Sequence, residues 1–197
     1  MIELEKISEI EKIALVDLDC TCADYDGQLK IDLQKIASPN EPPINSGDIY
    51  KGGGYLEARR HMITSQVGWW LKLKKFKLGF DILEELKKVG FKIVVLTKGP
   101  SRKFSAWSEK VEWCHKNMKE YINGVTITND KGLVYGWVLV DDFPEYIEAW
   151  LKHRPRGLVI MPAHEHNKDF KHPNVVRYDG TNIEEVSERL QTQFNRK

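Results

Sequence analysis

Two aspartates and a threonine, Asp17, Asp19 and Thr21, follow a short apolar run at regular two-residue spacing. The four apolar residues at 13–16 leave no room for a charge in a buried strand. Asp17 should therefore emerge at the strand's carboxyl end, where open α/β sheets bind ligands. An extended chain points side chains two apart the same way. Neighbouring carboxylates repel each other unless a cation or a shared proton relieves them. The spacing predicts a divalent metal and acid–base chemistry.

Three further groups follow later apolar runs: Thr97, Lys131 and the pair Asp141–Asp142. Each suits phosphoryl transfer. One carboxylate can attack phosphorus and form an acyl phosphate, and another can protonate the leaving oxygen and then deprotonate water. A hydroxyl and a lysine can hold the phosphoryl oxygens. A further carboxylate pair can help to seat Mg²⁺, a cation that prefers oxygen ligands.

The elements that must position these groups alternate along the chain. Near-continuous apolar runs predict strands at 13–16, 91–96, 125–128, 137–140, 157–161 and 175–178, and such runs suit a parallel sheet covered on both faces. Amphipathic patterns predict helices at 80–90, 101–119, 145–151 and 183–194. Phe104, Trp107, Val111 and Cys114 are expected on one face of the second helix. This alternation predicts a doubly wound, three-layer α/β/α sandwich.

The segment from residue 24 to residue 78 interrupts the alternation. It holds three prolines, a glycine run at 52–54 and a helix-like stretch from 55 to about 67. More than fifty residues are too many for an ordinary connection between a strand and the next helix. We predict a core of residues 1–23 and 79–197 with a small helical cap, residues 24–78, inserted after the first strand.

Composition limits the classes of function. The 197 residues carry 30 basic and 29 acidic side chains, a balance that argues against wholesale binding to nucleic acid or membranes. Three cysteines, Cys20, Cys22 and Cys114, are an odd number and favour free thiols in a reducing compartment. No apolar run approaches the ~20 residues of a membrane span, and the charged start lacks the apolar core of a signal peptide. We expect a soluble cytoplasmic protein.

The order Asp-x-Asp-x-Thr, Thr97, Lys131 and Asp141–Asp142 resembles the haloacid dehalogenase-like (HAD) phosphatase superfamily, and most closely the 5'(3')-deoxyribonucleotidases. The likeness runs from residue 13 to residue 178. Its most specific matches are Ala23-Asp24-Tyr25, Gly68-Trp69-Trp70-Leu71, Trp113-Cys114-His115-Lys116 and Thr128-Asn129-Asp130-Lys131. The resemblance implies a Rossmann-type HAD-like fold. It also implies an Mg²⁺-dependent phosphomonoesterase that acts on nucleoside monophosphates through an aspartyl phosphate.

The same resemblance implies catalytic and metal-binding roles. Asp17 would be the nucleophile and Asp19 the general acid and base. Asp17, the backbone carbonyl of Asp19 and one carboxylate of the Asp141–Asp142 pair would hold Mg²⁺, and Asp142 is the favoured member of that pair.

Substrate contacts are implied for six further residues. Thr97 and Lys131 would grip the phosphoryl group, with Thr21, Lys98 and Asn129 beside it. One of Trp69 and Trp70 would stack a base between cap and core, and the other would cover the core.

Three positions depart from the family pattern and bear on substrate preference. Cys20 stands where the superfamily often has glycine, so the turn after Asp19 must accommodate a side chain. Asn129 occupies a position where the nucleotidases tend to carry arginine, and Lys98 one where they carry a small hydroxyl.

Plainer interpretations stay open at several positions. Thr97 alone could be a strand residue, and Lys131 a turn lysine. The lysines at 72, 74, 75 and 77 are typical of a solvated face but could attract a polyanion. His164 and His166 could ligate a metal, although a loop that borders the substrate is favoured. Cys20 and Cys22 lack the second pair of a zinc site and are interpreted as small loop residues.

Other functions are weighed against the nucleotidase hypothesis. The same chemistry could serve another small phosphate ester or the phosphorylated end of a nucleic acid. A phospho-accepting receiver domain also uses aspartate, threonine and lysine around Mg²⁺, but its acidic pair comes first, so the order argues against it. A catalytically silent binding module would not need every catalytic group that is present. The expected partner is a small phosphate ester, with no membrane, and homodimer formation stays open.

Overall fold

A computed structural model describes residues 11–44, 46–49, 53–100 and 103–196. Within these residues, six parallel strands form one sheet in the order β3-β2-β1-β4-β5-β6. The strands are β1 (Ile13–Val16), β2 (Lys92–Thr97), β3 (Gly124–Ile127), β4 (Val138–Val140), β5 (Leu158–Pro162) and β6 (Val175–Tyr178). This order places the topological switch point between β1 and β4, where α/β folds bind their ligands. The predicted sheet is confirmed, and no strand end differs from its predicted position by more than one residue.

Helices cover both faces of the sheet. They are α1 (Tyr25–Lys35), α2 (Ser46–Ile49), α3 (Gly54–Thr64), α4 (Lys77–Val89), α5 (Phe104–Met118), α6 (Pro144–His153) and α7 (Ile183–Asn195). Three short 3₁₀ turns lie at Trp70–Lys72, Lys131–Leu133 and Glu165–Asn167. Along β1, Ala14 and Val16 pack into one apolar cluster and Leu15 into the other. This alternation explains why the strands read as continuous apolar runs.

The register of the central strands brings their ends level. Val16 of β1 lies beside Val95 of β2 and Val140 of β4. The backbone N–H of Asp17 donates to the carbonyl of Val140 at 2.8 Å. The residues that follow these three strands therefore meet at one edge of the sheet.

The predicted face of α5 is correct only in part, since Cys114 is buried and Trp107 and Val111 are half-buried. Phe104 is 79% exposed, whereas the buried face carries Ala106, Glu109, Lys110, Trp113, Cys114 and Met118. The apolar pattern missed this face because two of its members are charged. Glu109 is buried and accepts hydrogen bonds from the backbone N–H groups of Gly68 (2.8 Å) and Trp70 (3.2 Å). The predicted start of this helix, Ser101, lies outside the described residues, as do Gly52 of the glycine run and residues 1–10.

The segment between β1 and α4 is helical, and α1 packs against α3. Its internal anchor is Asp32, which is 8% exposed. Asp32 accepts hydrogen bonds from Gln28 (3.0 Å), Lys35 (2.8 Å) and the Trp69 indole (2.9 Å), and Lys72 lies 3.2 Å away. These contacts fasten α1 to the turn at residues 69–72.

The charge of Asp32 should stabilise the fold in a pH-dependent way. Burial opposes its ionisation, but the hydrogen bonds from Lys35, Gln28 and Trp69 hold the pKa of Asp32 well below its usual range. A carboxyl group with a lowered folded pKa stabilises the protein above its unfolded value of about 3.9, and this contribution is lost as pH falls.

We expect Asp32→Asn to lower the free energy of unfolding at pH 7 by about 1–3 kcal/mol. The difference from wild type should shrink as pH falls below about 4. Urea unfolding at several pH values measures both quantities. Glu112→Gln, which changes an exposed carboxylate on α5, is the matched control and should have little effect. A difference that does not vary with pH would show that the ion pairs of Asp32 do not stabilise the fold.

In the described part of the chain, no helix combines the length and the apolar character needed to cross a membrane.

Candidate active site

A cavity of about 970 Å³ opens at the carboxyl edge of the sheet. Its wall includes Asp17 after β1, Thr97 at the end of β2, Lys131 after β3 and Asp142 after β4. The structure thus brings together one predicted group from each of four neighbouring strand ends. Residues of α1, α3 and the turn at 69–72 close the other side, and they include Tyr25, Glu57, Arg60 and Trp70.

The floor of the cavity is a buried ion cluster centred on Lys131. Its ammonium lies 2.7 Å from Asp17 Oδ1 and 2.7 Å from Asp141 Oδ2. All three residues are at most 6% exposed. The Asp130 carboxylate accepts from the N–H of Gly132 at 2.9 Å, which shapes the turn that carries Lys131. Lysine is almost never fully buried unless it is paired, so the two carboxylates account for its position.

Three carboxylates crowd this floor. Ligand oxygens of Asp17, Asp141 and Asp142 all lie within 4.8 Å of one another. Burial raises the pKa of Asp17, and the neighbouring charges of Asp141, Asp19 and Asp142 raise it further, whereas Lys131 opposes this shift. Even with His166 protonated beside Asp142, Lys131 and His166 supply two positive charges for three buried carboxylates. Oxygen donors with excess negative charge are the ligand set of a hard divalent cation such as Mg²⁺, so these residues fit the implied metal.

Asp141 and Asp142 have different surroundings. Asp141 is fully buried, pairs with Lys131 and accepts from the backbone N–H of Phe143 at 3.0 Å. Asp142 lies on the cavity wall. Its carboxylate accepts from Thr21 Oγ1 at 3.1 Å and lies 3.0 Å from His166 Nε2. Asp142 is therefore the member of the pair that reaches the open site.

Asp19 belongs to a second network, built around Lys110. The Lys110 ammonium lies 2.6 Å from Asp19 Oδ2, and it donates to the Lys98 carbonyl at 2.8 Å and to Thr97 Oγ1 at 3.2 Å. It is 1% exposed and lies 4.6 Å from the centroid of a Trp70 ring. Asp19 Oδ1 is buried without a hydrogen-bond partner among the described residues. This oxygen is free to meet a substrate oxygen.

Sequence reasoning missed Lys110. The available signal was its position on α5, four residues after Ala106 and three before Trp113, which places it on the buried stripe of a helix. A lysine in that register needs a buried partner, and the carboxylates that follow β1 supply one.

Two predicted substrate-binding residues do not reach the cavity. Thr21 is fully buried and donates to Asp142, because the chain leaves the extended conformation at Cys20 and the expected alternation ends there. Trp69 is 1% exposed and its indole donates to Asp32, so it belongs to the packed interior of the segment. Trp70 lines the cavity, with its indole N–H on the Thr64 carbonyl at 3.1 Å.

Lys98 and Asn129, the two departures from the family pattern, both lie on the cavity wall and are exposed. The Lys98 ammonium lies 3.4 Å from the Tyr146 hydroxyl. Both residues are therefore placed where they can contact a bound substrate.

The histidines after β5 lie outside the cavity wall. His164 Nε2 lies 2.6 Å from the Cys20 carbonyl, and the His164 side chain also accepts from the backbone N–H of Asn167. Asn167 in turn donates to the Asp142 carbonyl at 2.9 Å. Ligand atoms of Asp26, His164 and His166 lie within 4.8 Å of one another, but the ring nitrogens of His164 already have protein partners. This turn ties the Asp19–Ala23 loop to Asp142.

The turn after Asp19 is strained. Cys20 has a φ of 57° and is the one non-glycine residue with positive φ among those described. The turn is closed by hydrogen bonds from the N–H groups of Cys22 (2.8 Å) and Ala23 (2.7 Å) to the Leu18 carbonyl. The first turn of α4 packs so closely against this segment that a Cβ on Gly79 would lie 1.8 Å from the Thr21 carbonyl oxygen.

We expect Cys20→Val to destabilise the protein by about 1–3 kcal/mol, because β-branched residues tolerate a positive φ poorly. Cys20→Gly is the matched control and should stay within about 1 kcal/mol of wild type, since glycine adopts this conformation freely. Urea unfolding of both variants measures the difference. Equal stability of the two variants would mean that the turn is not held in the left-handed region.

A known protein family matches most of this chain. Residues 11–180 match the model of the 5' nucleotidase, deoxy (pyrimidine), cytosolic type C protein (NT5C) family. The match spans β1 through β6 and therefore contains every group of the ion cluster.

Solved structures share the fold at low sequence identity. A predicted phosphatase from Clostridium acetobutylicum is 15% identical with a TM-score of 0.55, and the alignment covers 93% of this chain and 100% of that one. A HAD-like hydrolase from Burkholderia xenovorans is 16% identical with a TM-score of 0.57, covering 91% and 98%. A magnesium-bound HAD hydrolase from Bacillus subtilis is 12% identical with a TM-score of 0.54, covering 92% and 99%. The chain belongs to the NT5C family of 5'-nucleotidases and is a phosphatase of the HAD superfamily.

Proposed function

We propose that this phosphatase hydrolyses nucleoside monophosphates in an Mg²⁺-dependent reaction through an aspartyl phosphate on Asp17. The observation that carries the proposal is the buried Asp17 carboxylate on the cavity floor, held 2.7 Å from Lys131 and crowded by Asp141 and Asp142. Lys131 and the proposed metal would offset the negative charge of a phosphoryl group that approaches Asp17.

In the first half-reaction an Asp17 oxygen attacks phosphorus, and Asp19 gives a proton to the departing oxygen of the ester. In the second, Asp19 takes a proton from water, the water attacks the phosphoryl group, and the Asp17 carboxylate is released. Lys110 holds Asp19 in place for both steps. Lys131 and the Thr97 hydroxyl hold the phosphoryl oxygens.

Asp17, the Asp19 carbonyl and Asp142 would hold the metal, with Asp141 holding Lys131. The cation supplies charge neutralisation at the phosphoryl oxygens. Support comes from the oxygen-rich donor set of this chain and from the magnesium in the Bacillus subtilis hydrolase of the same fold.

The nucleoside is proposed as the leaving portion because the wall facing the ion cluster contains two aromatic residues. Tyr25 and Trp70 both line the cavity, with ring centroids 5.4 Å apart and an interplanar angle of 30°. Trp70 is 5% exposed and has Lys110 4.6 Å from its ring centroid, so it supports the half-buried Tyr25 ring from behind. The exposed part of Tyr25 is the aromatic surface that a base would contact. In this proposal, residues 24–78 act as a cap over a core of residues 1–23 and 79–197, and the three unbridged thiols fit a cytoplasmic location.

Phosphate release from a panel of esters tests the proposal. The panel holds 5'- and 3'-nucleoside monophosphates, sugar phosphates and a 3'-phosphorylated oligonucleotide, each assayed with Mg²⁺ and with a chelator. We expect Mg²⁺-dependent release concentrated on the mononucleotides. Faster release from sugar phosphates or from the oligonucleotide would show that the proposed substrate class is wrong. Equal release with Mg²⁺ and with the chelator would show that the reaction does not need the metal.

A further inference from the structure

Two positively charged side chains that are not part of the ion cluster line the cavity where α3 and the start of α5 face it. Arg60 comes from α3 and Lys103 from the residue before α5, and both line the cavity wall. Burial lowers the pKa of Lys103, and the positive charge of Arg60 lowers it further. Two positive charges in a partly buried cleft repel each other, and an anion bound between them reduces this repulsion.

The protein itself neutralises this pair only in part. Lys103 donates to the His61 carbonyl at 2.9 Å and to the Thr64 hydroxyl, both of which are uncharged. Among the described residues, no carboxylate forms an ion pair with Lys103. Arg60 donates to the Ile49 carbonyl at 2.5 Å and forms a long ion pair of 3.8 Å with Glu57, which also lines the cavity. One carboxylate therefore faces two cations. Lys131 and Lys110, the two buried lysines near Asp17 and Asp19, are by contrast each within 2.7 Å of a carboxylate.

The size of the cavity leaves room for more than a monophosphate. Its volume of about 970 Å³ is near the upper end of the ~300–1,000 Å³ that is typical of small-molecule pockets. The reacting phosphate occupies the end that holds Asp17 and Lys131, and the nucleoside would lie along Tyr25 and Trp70. Arg60 and Lys103 then face the far part of the ligand.

We propose that Arg60 and Lys103 form a second anion subsite, and that the preferred substrates carry a second phosphate group besides the one that is removed. The inference rests on the proposed function, because it takes Asp17 as the point of attack. The second phosphate can belong to a nucleoside bisphosphate or to the adjoining phosphodiester of a short phosphorylated oligonucleotide.

The test compares four probes: phenyl phosphate, a deoxynucleoside 5'-monophosphate, a deoxynucleoside 3',5'-bisphosphate and a 5'-phosphorylated dinucleotide. For wild type we expect kcat/KM to be at least ~10-fold higher for one of the last two than for the monophosphate, since a charged hydrogen-bond pair of ordinary strength gives this factor. The better of those two probes identifies the source of the second phosphate. Equal values for the monophosphate and both larger probes would overturn the subsite.

Variants assign the effect to the pair. In Arg60→Gln, the ratio of kcat/KM for the preferred larger probe to that for phenyl phosphate should fall at least ~10-fold, and Arg60→Lys should restore part of it. Arg59→Gln is the matched control, because Arg59 neighbours Arg60 on α3 but pairs with Glu41 and does not line the cavity. An unchanged ratio in Arg60→Gln, or an equal fall in Arg59→Gln, would overturn the assignment.

A binding measurement tests the anion subsite independently of hydrolysis. Calorimetric titration of wild type in chelator should show tighter binding of the bisphosphate than of the monophosphate, and Arg60→Gln should abolish the difference. If no ester releases phosphate while this difference persists, the proposed function fails and the subsite stands. If esters are hydrolysed and no difference is seen, the function stands and the subsite fails.

Discussion

Asp17→Asn should abolish phosphate release, with kcat falling by at least about 10³-fold on every substrate. An amide oxygen is a poor nucleophile, and the neighbouring carboxylates are held by other groups. Asp141 is held by Lys131 and the Phe143 N–H, Asp19 by Lys110, and Asp142 by Thr21 and His166. Steady-state phosphate release measures the loss.

The same substitution should leave the protein folded. Asparagine removes one of three crowded negative charges, and Lys131 keeps Asp141 as a partner. Thermal unfolding in metal-free buffer should therefore give a Tm no lower than that of wild type. Mg²⁺ should raise the Tm of wild type more than that of the variant. Residual turnover within about tenfold of wild type would remove Asp17 from the role of nucleophile.

Lys110→Met should reduce kcat for a nucleoside monophosphate by about 10²-fold. Methionine keeps an unbranched apolar side chain on α5 but removes the ammonium that holds Asp19 Oδ2 at 2.6 Å. Lys110 acts through Asp19 and is therefore a positioning residue. The decrease in kcat should be larger for a leaving group that needs a proton from Asp19. The loss should be several-fold smaller for p-nitrophenyl phosphate, whose leaving group departs without a proton.

Two controls isolate this role. Lys116→Met changes an exposed lysine on the same helix and should leave the rates unchanged, and Lys110→Arg should recover part of the activity. An equal loss on both substrates in Lys110→Met would contradict a role through Asp19. It would indicate instead that Lys110 acts on the phosphoryl group or on the fold.

The sheet was predictable because it is parallel and covered on both faces. Each of its strands is a short apolar run, and a polar residue marks the place where the run reaches the edge. Asp17, Thr97, Lys131 and Asp142 could be placed at this edge because each stands at the end of a strand or just after it. The register of β1, β2, β3 and β4 brings those ends together.

The remaining parts of the site depend on side-chain direction within turns, which periodicity does not describe. Thr21 was assigned to the substrate by alternation, but the positive φ of Cys20 turns the chain and sends its hydroxyl to Asp142. Trp69 and Trp70 are adjacent and chemically equal, and only the buried Asp32 decides which of them turns inward. Arg60 and Lys103 come from two separate elements, so no local pattern links them.

The central claim is covalent catalysis by Asp17, and trapping the phosphoenzyme tests it most directly. The protein is mixed with a nucleoside monophosphate and Mg²⁺, quenched in acid during turnover, and its peptides are analysed by mass spectrometry. We predict one phosphoryl group on the peptide that contains Asp17, absent when the metal is chelated and absent in Asp17→Asn. Turnover with no phosphorylated peptide, or with the phosphoryl group on another residue, would contradict the claim.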